Sequence, residues 1–146
     1  MSMEQTFAVE DFMTHNVVTV GVNDSVYDAT RKMVESNVGC IVAMSNGEVM
    51  GIITKGDILR NSLLKLLDPK TTKVESVMTY PFVTIDSGAS LEDAAELMSK
   101  RHVSKLPVLQ DGLLVGIITA TDIIRVEPEY VKYLRALSEN RPQFKK

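Results

Sequence analysis

The chain repeats itself. A shift of 65 positions lays Met13 on Met78, and the two halves then run in register without a gap as far as Arg60 against Arg125. Met13-Thr14 recurs as Met78-Thr79, Val18-Thr19 as Val83-Thr84, and Asp28-Ala29 as Asp93-Ala94. The last stretch is the strongest: Gly51-Ile52-Ile53-Thr54-Lys55-Gly56-Asp57-Ile58-Leu59-Arg60 agrees with Gly116-Ile117-Ile118-Thr119-Ala120-Thr121-Asp122-Ile123-Ile124-Arg125 at seven of ten positions. Whatever fold one copy adopts, the other must adopt too, which bounds the 146 residues to a pair of like units.

Within each copy the local signals run in one order. Val17 to Val20, and Phe82 to Ile85, are short β-branched or aromatic runs that suit a strand. A helix follows, because Val26, Ala29, Thr30 and Met33, and likewise Leu91, Ala94, Ala95 and Met98, fall on one face at a period of 3.6. Ser25-x-x-Asp28 and Ser90-x-x-Asp93 place a hydroxyl at the N-cap and a carboxylate in the first turn. Two apolar runs come next, separated by Asn46-Gly47 or Asp111-Gly112, dipeptides suited to a tight hairpin turn. The second run ends in Thr-x-x-Asp and leads into a further apolar-periodic helix, Ile58-Leu59-Leu63 or Ile123-Ile124. The predicted class is mixed α/β (α+β), two pseudo-symmetric β-α-β-β-α units.

One such unit of about 50 residues covers only part of its own apolar surface, so the copies are expected to pack together. Residues 67–73, polar and interrupted by Pro69, form the expected linker between units at 9–66 and 74–126, with a terminal helix and tail over 127–146. In that tail Tyr130, Leu134 and Leu137 share a helical face, and Arg141, Lys145 and Lys146 are basic. The expected role of the helix is to cover the core or a dimer partner.

Composition narrows the function. Forty-five per cent hydrophobic and 24% charged residues are globular values. A net charge of -3 offers no overall positive field for nucleic acid or an anionic membrane. The lone cysteine, Cys40, lies in an apolar run and reads as a reduced core residue. The opening residues show no basic segment followed by an apolar one, so the expectation is a cytoplasmic protein without export signal or membrane anchor. Phosphate-loop, dinucleotide-binding and nucleophile-elbow motifs are missing, and two histidines with one cysteine suggest neither a zinc cluster nor a Cys/His nucleophile. Catalysis is not expected.

Thr54/Asp57 and Thr119/Asp122 are the pairs that carry chemistry. Their spacing is also that of a helix capping box, as at Ser25/Asp28 and Ser90/Asp93, so spacing alone does not separate ligand contact from capping. Context does: each pair directly follows an apolar strand, at a strand-to-helix junction whose N–H groups and dipole suit an anion.

With Met-x-x-x-x-Val-Thr, the hairpin and Gly-Ile-Ile-Thr-x-x-Asp-Ile in duplicate from about Val9 to Arg125, the chain resembles the cystathionine β-synthase (CBS) domain family, whose tandem pairs form a Bateman module. The resemblance implies two units packed sheet to sheet, with adenosine-containing ligands (AMP, ADP, ATP or S-adenosylmethionine) in inter-copy clefts, regulating a partner protein not yet identified. It assigns Asp57 and Asp122 to the ribose hydroxyls. It also places Lys105 where family members carry a phosphate-directed cation; the first copy has Cys40 there. Thr121 adds a hydroxyl beside Asp122 where the first copy has Gly56, and Lys55 is a weaker phosphate candidate. Alignment of the copies completes one cleft from Ile117, Thr119, Thr121, Asp122, Met13 and Val18, and the other from Ile52, Thr54, Asp57, Met78 and Val83. The Asp122 cleft is expected to hold adenine nucleotides more tightly, and the more apolar first cleft to suit an uncharged or cationic ligand such as S-adenosylmethionine. His102 reads as a surface residue at a helix end. No cofactor or metal is expected, a homodimer is, and the competing reading is a protein-interaction or nucleic-acid-linked module without a small ligand.

Overall fold

The computed structural model describes residues 6–79 and 82–139, without the side chains of 136–139. The chain forms two compact units. Asn16–Phe82 makes one, and the segment up to His15 together with the chain from Val83 onward makes the other. The units therefore cut across the repeat boundaries read from the sequence.

The Asn16–Phe82 unit runs β1 (Thr19–Gly21), α1 (Val26–Ser36), β2 (Cys40–Ser45), β3 (Glu48–Thr54) and α2 (Lys55–Ile58), which a π-helical turn continues over Leu59–Leu63. Its sheet has the order β1-β2-β3, with β1 parallel to β2 and β2 antiparallel to β3. The other unit repeats this with β4 (Ile85–Asp86), α3 (Leu91–Arg101), β5 (Lys105–Gln110), β6 (Leu113–Thr119) and α4 (Ala120–Val126), then adds α5 (Val131–Glu139). Even the bulges correspond, falling between Ala43 and Met44 in one sheet and between Val108 and Leu109 in the other.

The turn chemistry explains the hairpins. Asn46 and Gly47 lie at φ 50° and 80°, Asp111 and Gly112 at 52° and 79°, the doubly left-handed pattern that matches strand twist. Ser25 Oγ and Ser90 Oγ each accept the N–H three residues on, at 3.0 Å, so the capping expectation holds for α1 and α3. Both helices end on a left-handed residue, Asn37 or His102, which confirms the exposed helix-end position of the latter. One core gathers Val26, Ala29 and Met33 against Ile41 and Ile53; the other gathers Leu91, Ala94, Ala95 and Met98 against Leu106 and Ile118.

The structure corrects three details. β1 and β4 begin later than the apolar runs because ladder partners on β2 and β5 start at Thr19 and Ile85, although Val18 still accepts the Val42 N–H at 3.1 Å. Leu59 and Leu63, read as the buried stripe of a helix, are 53% and 61% exposed; only Ile58 reaches the core. Cys40 is half-buried at the start of β2, while the next three residues are fully buried. Finally, residues 67–73, read as a linker, also bond to α1. The carbonyls of Thr72 and Pro69 accept the N–H groups of Val26 and Tyr27, both at 2.9 Å, and so close the first turn of α1. In the other unit Phe7 serves α3 in the same way, accepting from Leu91 at 2.9 Å.

α5 packs on α3 through Leu134, 5% exposed, and Tyr133 donates to Glu92 Oε1 at 2.9 Å, a bond that pushes the phenol above its ordinary pKa. The helix thus covers the core as expected; the Leu137 side chain, Arg141, Lys145 and Lys146 lie outside the described residues. Among those residues no helix is long and apolar enough to cross a membrane.

Candidate functional site: two strand-to-helix junctions

Each sheet gains a strip from outside its own three strands, upstream in the chain for β6 and downstream for β3. Thr14 exchanges backbone hydrogen bonds with Ile117 at 2.9 and 3.0 Å, and the Thr79 N–H donates to the Ile52 carbonyl at 2.7 Å. Met13 and Met78, one residue earlier, lie over Gly116 and Gly51. The strips thus bring Met13 beside Ile117 and Met78 beside Ile52, as the alignment of copies expects. Val18 and Val83 lie in the other unit from Ile117 and Ile52 respectively, and pack on the cores around α1 and α3.

At the end of each long strand the Thr-x-x-Asp pair folds into a complete capping box. Thr54 Oγ1 accepts the Asp57 N–H at 3.1 Å while Asp57 Oδ2 accepts the Thr54 N–H at 3.0 Å, and Thr119 with Asp122 repeats both distances. The Lys55 and Ala120 N–H groups are also taken, by Gly39 O at 3.0 Å and Ser104 O at 2.8 Å. Fewer helix N–H groups are open to an anion than the bare junction suggested. Each box fixes its aspartate where strand gives way to helix, so both carboxylates are held in place before any ligand arrives.

The two junctions then diverge. Lys105 opens β5 opposite Thr119 on β6, half-buried, and its register counterpart opposite Thr54 is Cys40. Thr121 is exposed next to Asp122. Lys55 does not fill the gap at the first junction: its chain passes over Gly39 and lines an apolar groove of about 410 Å³ with Met33, Val34 and Ile58.

The sequence reading missed two partners of the aspartates. Arg60 and Arg125 stand three residues beyond them, with guanidinium nitrogens 3.7 Å from Asp57 Oδ1 and 3.9 Å from Asp122 Oδ1. Both arginines are mostly exposed, so solvent screens these pairs. The other partner is the Thr79 hydroxyl, which donates across both oxygens of Asp57 at 3.1 and 2.9 Å. Both positions are identical in the two copies, Arg60 with Arg125 and Thr14 with Thr79, and that duplication was the available signal.

The CBS domain profile matches residues 9–64 and 74–129, one match for each copy. The chain belongs to the CBS domain family. Among relatives of this CBS pair, the CBS domain-containing protein YhcV of Bacillus subtilis is 34% identical over 116 residues, 80% of this chain and 82% of that one. The protein MJ0450 of Methanocaldococcus jannaschii is 33% identical over 82% of this chain, and the match spans 66% of that protein's length. In three dimensions the CBS pair is similar to the CBS domain protein TA0289 of Thermoplasma acidophilum, with a TM-score of 0.81 and 26% identity, covering 94% of this chain and 79% of that one. The two three-stranded sheets with their helices are thus the architecture of a CBS domain pair.

Proposed function

We propose that this CBS pair is a non-catalytic regulatory module that binds an adenosine-containing ligand and signals to a partner protein. The observation that carries the reading is the state of the Asp122 carboxylate. It is oriented by a capping box, its side chain is 17% exposed, and among the described residues it accepts one hydrogen bond, from the Thr119 N–H, besides facing Arg125. A carboxylate has about four acceptor positions. Asp122 therefore keeps room for both hydroxyls of a ribose, with Ile117 and Met13 as apolar neighbours for a base. The Lys105 ammonium and the Thr121 hydroxyl supply cation and donor for phosphate.

The Asp57 junction offers Ile52 and Met78 to a base but has Cys40 in place of Lys105, so a phosphate has less to hold it there. Such a junction favours a ligand without phosphates, such as S-adenosylmethionine. A panel of AMP, ADP, ATP, NAD and S-adenosylmethionine in thermal unfolding tests the reading, because a ligand that binds the native state raises stability by RT ln(1 + [L]/Kd). At a hundredfold excess over Kd the gain is about 2.7 kcal/mol, which a melting curve resolves as several degrees. A rise with ATP and no release of phosphate is the expected result. No shift with any compound would favour a module that only binds other proteins.

We also propose that a second copy pairs through the helix side of the Asn16–Phe82 unit. Val34, Leu63 and Leu64 are 74%, 61% and 77% exposed there, whereas α5 covers the matching helix α3 of the other unit. Leu64→Glu is expected to turn a dimer into a monomer in sedimentation velocity without changing nucleotide binding.

A further inference from the structure

The geometry points to Thr79 as the residue that decides which of the two junctions takes a ligand: its hydroxyl occupies the acceptor positions on Asp57 that a ribose diol needs. This inference rests on the reading of Asp57 and Asp122 as ribose acceptors. Asp57 Oδ2 already receives the Thr54 N–H at 3.0 Å and the Thr79 hydroxyl at 2.9 Å. Asp57 Oδ1 receives the same hydroxyl at 3.1 Å and faces the Arg60 guanidinium at 3.7 Å. Of the about four acceptor positions on a carboxylate, the Thr54 N–H and the bifurcated Thr79 hydroxyl take three, which leaves too few for both hydroxyls of a ribose. The side chain is accordingly 7% exposed, against 17% for Asp122.

Thr14 is the counterpart of Thr79 in the repeat, and its backbone makes the same kind of bridge, to Ile117. No hydrogen bond joins its hydroxyl to Asp122 among the described residues, although Thr14 and Thr79 are alike exposed. The capping boxes and arginines are shared, so the threonine hydroxyl is the difference that closes one carboxylate and leaves the other open. Thr79 is also a persistent competitor. Its N–H is held by Ile52 O at 2.7 Å, so the hydroxyl stands beside Asp57 without diffusing away, whereas a ligand must displace it at every binding event.

Calorimetry with AMP and with S-adenosylmethionine tests this in an Asp122→Ala background, which isolates the first junction. Thr79→Val keeps the size and β-branching suited to the bridge and replaces the hydroxyl with a methyl group. The double variant is expected to bind at least one of the two compounds about ten- to a hundredfold more tightly than Asp122→Ala alone, the gain that one hydrogen bond to a charged group represents. Thr79→Ser, which restores a hydroxyl, should return the affinity to that of the background. In the chain without ligand, Thr79→Val should also lower Tm by a few degrees, and this loss should vanish when Asp57 is already alanine, since the two residues then no longer interact. If the chain with native Thr79 binds one adenosine compound and Thr79→Val adds no second site, Thr79 has no such role while the adenosine reading survives. If neither the native chain nor any variant binds either compound, the adenosine reading falls and takes this inference with it.

Discussion

Replacing Asp122 by alanine is expected to weaken AMP binding by two or more powers of ten, whereas Asp57→Ala leaves the measured affinity nearly unchanged. Both carboxylates sit in identical capping boxes, so loss of the box is common to the two variants and cannot explain a difference between them. The difference lies in acceptor capacity. Asp122 would lose two charged hydrogen bonds to the ribose, each contributing roughly 1.5–3 kcal/mol, and every 1.4 kcal/mol is a factor of about ten. Asp57 is occupied by Thr54 and Thr79, so its removal should register in stability instead: the Thr79 hydroxyl and the Thr54 N–H lose a buried carboxylate as acceptor. Isothermal calorimetry and thermal unfolding on the same two variants separate these outcomes. Equal losses of affinity, or loss only in Asp57→Ala, would reject the ranking of the sites.

Alanine at Gly116 should destabilise the chain by roughly 1–3 kcal/mol, the usual cost of forcing a methyl group into a packed interior. A Cβ there would collide with the Met13 sulfur and stand 2.9 Å from the Thr14 carbonyl oxygen. The thioether can swing aside; the carbonyl cannot, because Thr14 is bound to Ile117 through both of its backbone groups. Gly51→Ala meets the same obstacle, 2.7 Å from the Met78 sulfur and 3.0 Å from the Thr79 carbonyl oxygen. Gly39→Ala is the control, since its nearest atom would be the flexible Lys55 Cε at an ordinary 3.5 Å. The expected pattern in melting curves is a fall of several degrees for the first two and little change for the third. Should Gly39→Ala prove as damaging as Gly116→Ala, close approach of the strips is not what these glycines serve.

The repeat makes most of the fold legible in the sequence. Helix faces, hairpin turns and capping serines all follow from local spacing, and each appears twice, so a signal weak in one copy is supported by the other. Lys105 and Cys40 could be paired for the same reason, and the registers Lys105 with Thr119 and Cys40 with Thr54 bear out that equivalence. Sequence spacing carries no information on hydrogen-bond direction, however. Thr14 and Thr79 are the same residue in the same motif, yet only the latter turns its hydroxyl to the aspartate. Exposure was equally hidden: Leu59 and Leu63 have the periodicity of a buried stripe, and nothing in their spacing says that the π-helical turn leaves them facing outward.

The strip carrying Phe7, Val9 and Met13 is made early but finds its place against residues made late, with Thr14 bridging Ile117 about a hundred positions downstream. At roughly 5–20 residues per second, that apolar strip leaves the ribosome some 5–20 s before its receiving strand exists. The Asn16–Phe82 unit, by contrast, is contiguous and can close as it emerges. Vectorial synthesis therefore sets a folding order opposite to the order of translation at the chain's beginning, and the waiting strip is where a nascent chain of this design is most open to chaperones or to mispairing with its own first sheet.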